Sequence, residues 1–202
     1  VMSDSIASSV APEEISPGPV VPVVVLVGRP NVGKSTLFNA FTNSRDALVM
    51  DLPGLTRDRQ YGQGRFEGKG FMVVDTGGLS PDEDDALAML AEEQAQIALQ
   101  EATHILFLVD ALDGCLPDDM AIAQRLRKLN KPITLLVNKA EGRTKTAIGA
   151  DFHQLGLGEP VPISAEHGDG LGNLQRSILV DAPPAETIDD DGVIRVAVVG
   201  RP

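Results

Sequence analysis

The stretch Val23-Val24-Val25-Leu26-Val27-Gly28-Arg29-Pro30-Asn31-Val32-Gly33-Lys34-Ser35-Thr36 decides the fold. Its first five residues form a β-branched run closed by glycine, the mark of a strand buried on both faces. Gly28 to Ser35 then fits the spacing G-x-x-x-x-G-K-[ST], and Thr36 to Phe41 reads as the start of a helix. Strand, glycine turn and helix in that order make a cradle for phosphate, because backbone N–H groups wrap the anion and the helix amino end adds a favourable dipole. In such a cradle Lys34 supplies a cation to the β- and γ-phosphates, and the Ser35 hydroxyl is placed for Mg²⁺.

Working outward, three more runs repeat the buried-strand form: Phe71 to Val74, Ile105 to Val109 and Ile133 to Val137, closing on Asp75, Asp110 and Asn138. Strands with polar carboxyl ends imply one rim of chemistry along a mostly parallel sheet. Between them lie helical patterns. Ser80-Pro81-Asp82-Glu83 is a capping box with proline at the first helical position, and apolar spacing carries that helix to about Ala102. Further helices are expected from about Pro117 to Leu129 and from about Leu171 to Val180, which makes the expected class α/β with helices on both faces. The acidic cluster Asp82 to Asp85 reads as capping and solvated face.

Two later segments carry chemistry. Asp75-Thr76-Gly77-Gly78 follows a strand 41 residues after Lys34; its carboxylate suits Mg²⁺ through the metal's water shell, and its glycines let a backbone N–H reach a γ-phosphate. Asn138-Lys139-Ala140-Glu141 ends another strand, and Ser164-Ala165 follows the short apolar stretch Val161 to Ile163. A carboxylate at this place accepts two hydrogen bonds from guanine's ring N–H and exocyclic amine, donors that adenine lacks there. A site left unpaired by the wrong base rejects it by roughly 10⁴-fold or more.

Composition bounds the rest. At 202 residues the chain holds about one and a third domains on a prior of roughly 150 residues each. Hydrophobic residues at 43% and charged residues at 23% are ordinary globular usage. No apolar run approaches a membrane span, and the first residues lack the basic flank and apolar core of a secretion signal. One cysteine, Cys115, excludes an internal disulfide framework and suits a reducing, cytoplasmic setting. A net charge of −12, one Tyr, six Phe and no Trp argue against DNA binding and against a general nucleic-acid coat. His104, His153 and His167 share no metal-ligand spacing, and Arg57 and Arg59 read as solvated loop charges.

Residues 1–20 are expected to be a disordered leader, 21–180 the nucleotide-binding domain and 181–192 an acidic linker. After it, Val193 to Pro202 repeats Val21 to Pro30 with six identities in ten, 172 residues later, ending in the same Gly-Arg-Pro. The chain is therefore expected to stop inside the first strand and loop of a second copy of its own domain.

The ordered set resembles the P-loop GTPases with a Ras-like G domain: phosphate loop, a threonine (Thr56) in the next loop, Asp-x-x-Gly, Asn-Lys-x-acid, then Ser-Ala. Gly28 to Asn39, Ser44 to Val49, Pro53 to Arg59 and Asp75 to Leu79 narrow the resemblance to the EngA/Der family of bacterial GTPases with two adjacent G domains. The resemblance implies a GTP/GDP switch acting in assembly of the large ribosomal subunit, without membrane attachment. It implies phosphate binding by Gly28, Arg29, Pro30, Asn31, Val32, Gly33, Lys34, Ser35 and Thr36, and Mg²⁺ binding by Ser35 and Thr56 with Asp75. Asp75, Thr76, Gly77, Gly78 and Leu79 would form the second switch, while Asn138, Lys139 and Glu141 with Ser164 and Ala165 would hold guanine. Lys34, Asn31, Thr56 and Gly78 would carry catalysis, with K⁺ at Asn31 supplying charge that other families take from an arginine finger. The family's second G domain and its RNA-binding domain lie beyond this sequence, so weak ribosome binding by this chain is implied.

Two residues depart from the pattern. Glu141 stands where the family has Asp, and Leu79 stands where Ras-like enzymes carry the glutamine that orients water. Two other readings of the residues stay open: a P-loop ATPase or kinase, and a nucleotide-gated binding module with negligible turnover.

Overall fold

The computed structural model describes residues 21–42, 60–77, 95–180 and 182. Six strands form one sheet in the order β2-β3-β1-β4-β5-β6: β1 Val23–Val27, β2 Gln60–Phe66, β3 Lys69–Asp75, β4 His104–Asp110, β5 Ile133–Asn138 and β6 Val161–Pro162. All neighbouring pairs are parallel except β2 with β3. Among the described residues the helices are α1 Lys34–Thr42, α2 at residues 95–101, α3 Pro117–Leu126, α4 Lys145–Phe152 and α5 Leu171–Ile178, with a 3₁₀ turn at His153–Leu155.

Alternation along β1 and β4 sorts the core into two layers. Val25, Val27, Ile105, Phe107 and Val109 face one side, against Ala98 and Leu99 of α2, Ile122 and Leu126 of α3, and Ile148 and Phe152 of α4. Val24, Leu26, Leu106 and Leu108 face the other, against Leu37, Phe38 and Phe41 of α1 and Leu171 and Leu174 of α5. The expected α/β class with helices on both faces is the class observed. Strand order reverses around β1, whose neighbours are β3 and β4. The crevice beyond its carboxyl end is the usual ligand position in such sheets.

The sequence pattern did not announce β2. Gln-Tyr-Gly-Gln-Gly-Arg-Phe is polar and glycine-rich, yet it pairs along its whole length with β3, from Gln60 opposite Asp75 to Phe66 opposite Lys69. Its glycines admit close neighbours: a Cβ at Gly62 would meet Phe38 and Thr42 of α1, and one at Gly64 would meet the Phe71 ring. The two-residue turn Glu67-Gly68 has φ of 49° and 77°, as a type I′ hairpin demands. Helix α4, capped by the Thr144 side chain accepting from Ala147 N at 3.3 Å, was likewise unannounced.

Two helix ends differ from the pattern. Helix α3 stops at Leu126 and not Leu129, because the chain tightens into i−3 bonds, Lys128 N to Arg125 O and Leu129 N to Leu126 O. Helix α5 ends at Ile178. Residues 95–101 are helical as expected, whereas the proposed start at Ser80-Pro81 and the acidic cluster after it lie outside the described residues. So do the expected leader, most of the linker and the repeated segment Val193 to Pro202. Among the described residues, no helix is long and apolar enough to cross a membrane.

Candidate functional site

The turn from β1 to α1 folds as its residue types require. At Gly28 an added Cβ would strike Leu108 O, and at Gly33, with φ of 98°, it would strike the Asn138 amide. Val32 is buried in the α1 face of the core, which fixes the middle of the loop. Lys34 is only 4% exposed. Its Nζ donates to Gly28 O at 3.0 Å and Arg29 O at 2.7 Å. Among the described residues that uses two of its three N–H donors. Burial lowers the Lys34 pKa, the Asp75 carboxylate works against that fall, and the Arg29 charge adds to it. A buried cation disfavoured in this way gains from any anion that approaches it.

Arg29 itself turns out of the cradle. Its Nε bonds Asp119 Oδ1 at 2.9 Å and its terminal nitrogen reaches Asp113 Oδ2 at 3.3 Å. Asp119 is fully buried and also accepts from Leu116 N at 3.0 Å. Burial alone would lower the Arg29 pKa, but the two aspartates outweigh it and hold the guanidinium above its ordinary value. The side chain therefore ties the phosphate loop to α3, and only its backbone faces the cradle.

At the end of β3, Asp75 Oδ2 accepts from Ser35 Oγ at 2.9 Å, and Asp75 Oδ1 accepts from Gly77 N at 3.0 Å. Thr76 turns inward, donating to Leu26 O at 2.9 Å. Ser35 and Asp75 thus meet across 40 residues of sequence, and a hydroxyl beside a carboxylate is a donor set that fits Mg²⁺. Thr56, Gly78 and Leu79 lie outside the described residues.

The third part of the rim comes from the ends of β5 and β6. Asn138 is 3% exposed; its Nδ2 donates to Val32 O at 2.9 Å and its Oδ1 accepts from Ala165 N at 2.9 Å. One amide therefore joins the phosphate loop to the Ser164-Ala165 loop. Lys139, with φ of 57°, pairs with Asp110 at 2.6 Å and donates to Asn31 O at 3.2 Å. Glu141 accepts from Ser164 Oγ, and the same hydroxyl lies 3.0 Å from His167 Nδ1. Chiefly through the Ser164 bond, the Glu141 pKa falls below its ordinary value.

Beside this third part lies a cleft of about 360 Å³, lined by Gly33 and Thr36 from the turn into α1 and by Leu112, Asn138, Lys139, Glu141, Glu166 and His167. The sequence offered no reason to single out Leu112 or His167. Leu112 is 68% exposed yet held in place, its N–H donating to Asp110 Oδ1 at 2.8 Å. His167 is three residues past Ser164 and carried no spacing signal. Of the other histidines, His104 bonds Thr134 Oγ1 at 2.8 Å, with its pKa lowered by burial, and His153 lies 3.6 Å from Glu159, both away from the cleft. Cys115 is partly buried, and burial raises its pKa. Among the described residues, no group of His, Cys, Asp and Glu forms a metal cluster.

A family model described as "50S ribosome-binding GTPase" matches residues 23–139. The chain belongs to that family. It is 55% identical to GTPase Der of Thiobacillus denitrificans over 183 residues, covering 90% of this chain and 39% of the relative. GTPase Der of Burkholderia ambifaria is 52% identical over 186 residues, with 90% and 42% covered. The chain thus spans about two fifths of the curated relatives it matches. Among solved structures, Aquifex aeolicus Era bound to GDP·AlF₄⁻ superposes with a TM-score of 0.68 at 35% identity, covering 82% of this chain and 58% of that one. Era with MgGDPNP and a segment of 16S ribosomal RNA gives 0.69 at 32% identity, with 86% and 60% covered. The G domain of the T. maritima FeoB iron transporter, at 24% identity and a TM-score of 0.60, shares the fold. The likeness to the EngA/Der family is thereby borne out, and so is the P-loop GTPase fold.

Proposed function

We propose that this chain binds GTP with Mg²⁺ and hydrolyses it to GDP and phosphate as a conformational switch. The observation that supports this most strongly is the placement of Asn138, which bonds Val32 of the phosphate loop and Ala165 beside the base-reading loop at once. That amide supports reading the phosphate loop and the Glu141 carboxylate as parts of one site, a cradle for phosphate and a carboxylate for a purine edge. Glu141 favours guanine over adenine, since a carboxylate needs donors at the base edge and adenine offers none there.

Ser35 and Asp75, with Thr56, would hold Mg²⁺, which supplies charge to the phosphates when bound. The remaining work falls to the chain. Backbone N–H groups from Gly28 to Thr36 orient the phosphates, and Lys34, already desolvated, stabilises charge that develops on the γ-phosphoryl oxygens. The Gly78 N–H would reach the γ-phosphate. K⁺ at Asn31 would add charge, and Leu79 cannot orient water, so intrinsic turnover is slow. Loss of the γ-phosphate releases the loops around Thr56 and Gly78 and changes the surface a partner meets.

The partner we infer is the large ribosomal subunit, reached in the cytoplasm by a longer protein with a second G domain and an RNA-binding domain. Similarity to GTPase Der and the ribosome-binding name of the family support this reading. With a net charge of −12, this chain alone is expected to bind ribosomes weakly; tight co-sedimentation with large subunits would contradict that.

Calorimetric titration with GDP and ADP tests the central claim. GDP is expected to bind tighter by roughly 10⁴-fold or more, and equal affinities overturn it. Phosphate release from GTP, compared in K⁺ and Na⁺ with a Lys34→Ala control, tests turnover. A rate equal to that control in both salts would favour a binding module.

A further inference from the structure

Hydrogen accounting around Ser164 gives His167 a role. Ser164 is 2% exposed and its hydroxyl carries one hydrogen. That hydrogen goes to Glu141 Oε1, an ionised carboxylate that only accepts. Towards His167 the serine oxygen must then accept, and it does so twice: from His167 N at 3.2 Å and from Nδ1 at 3.0 Å. The proton on Nδ1 is assigned by this balance. The same Nδ1 lies 3.3 Å from Glu141 Oε1, so its hydrogen is shared between the hydroxyl and the carboxylate.

The turn that carries His167 is fixed independently. Gly168 N donates to Ser164 O at 2.8 Å, and Ser164 pairs with Asp169 in a β-bridge. Glu141, by contrast, is 41% exposed and one methylene longer than the aspartate of the family pattern. The extra bond adds rotamers that a partly exposed side chain populates freely. Its own backbone N–H holds it locally, and without His167 the Ser164 hydroxyl would be its one tether to the loop after β6.

We propose that His167 is a positioning residue for guanine specificity: its Nδ1–H, together with the Ser164 hydroxyl, holds the Glu141 carboxylate where it reads the base edge. This rests on the reading that Glu141 recognises guanine. The ring itself sits at the rim, 61% exposed, and removing it exposes no core.

The test compares affinities for GDP and IDP, which lacks the exocyclic amine, on the 202-residue chain. His167→Ala is expected to lower the GDP-over-IDP preference by roughly tenfold, the scale of one hydrogen bond made through a charged group, with the melting temperature near that of the parent chain. His167→Asn, whose amide can donate from near the Nδ1 position, should return the preference towards the parent value. In a Glu141→Gln background, His167→Ala should change the preference no further. If Glu141→Gln abolishes the preference but His167→Ala leaves it intact, the role of His167 is wrong and guanine reading by Glu141 stands. Equal loss in the alanine and asparagine variants also overturns the role. If Glu141→Gln leaves the preference unchanged, guanine reading by Glu141 fails and the inference falls with it.

Discussion

The two ends of the rim are built in different ways. At the phosphate end, Lys34, Val32 and Asp75 are buried, and Lys34 and Ser35 bond backbone carbonyls and a short carboxylate. At the base end, Glu141, His167 and Lys139 are each at least two fifths exposed, and long side chains reach one another across three loops. Under the proposed function, the contrast teaches that phosphate binding would be written into the packing of β1, α1 and β3, whereas base recognition would rest on tethers at the rim. Substitutions at the first end should disturb binding of any nucleotide. Those at the second should disturb the choice between nucleotides.

The largest effect is expected at Lys34. Lys34→Ala should slow phosphate release from GTP by roughly 10²- to 10³-fold, with GDP and IDP affinities falling together; a fall confined to GDP would erase the contrast between the ends. Next comes Asn138→Ala, which leaves Val32 O and Ala165 N without partners in the interior. At about 1–3 kcal/mol for each buried group left unmade, a loss near 3 kcal/mol in urea unfolding is expected. A change of selectivity without destabilisation would move Asn138 to the rim class.

Arg29→Met should then destabilise by about 2 kcal/mol, below the 3–5 typical of a fully buried pair, because Arg29 keeps some contact with water while Asp119 has none. Unchanged stability in the same unfolding experiment would show that α3 does not depend on the phosphate loop. The smallest effect is a slope with pH. Lys34 has a lowered pKa in the fold, so between that value and the ordinary lysine value the unfolded chain binds more protons, and stability rises with pH. Unfolding free energies of the parent and Lys34→Met chains should therefore diverge at lower pH, in favour of Met, and converge as pH rises through that window. Parallel curves would show that Lys34 is not desolvated.

How far the sequence disclosed these two ends follows the same division. The phosphate end lies in one continuous run from Val23 to Thr36, and its glycines, lysine and serine have fixed offsets because one turn must wrap one anion. Strands β1, β3, β4 and β5 were visible as β-branched runs because they are buried on both faces. Strand β2 was not, because Gly62 and Gly64 leave room for Phe38 and Phe71 where a pattern reader expects side chains. The Glu67-Gly68 turn was its one available signal. At the base end, Asn138, Glu141 and Ser164 were found through a spaced motif, but His167 and Leu112 act through tertiary placement alone. A histidine three residues beyond a serine has no meaning in sequence until the turn folds it back over Glu141. The roles assigned to Thr56, Gly78 and Leu79 rest on resemblance, since they lie outside the described residues.

The bridge made by Asn138 has one more consequence. Its two bonds fasten loops separated by more than a hundred residues of chain using the protein's own groups alone. The conformational freedom of those loops is therefore surrendered at folding and not at encounter, so that the free energy of each new contact goes into holding the ligand. A rim preassembled in this way favours tight binding at these loops.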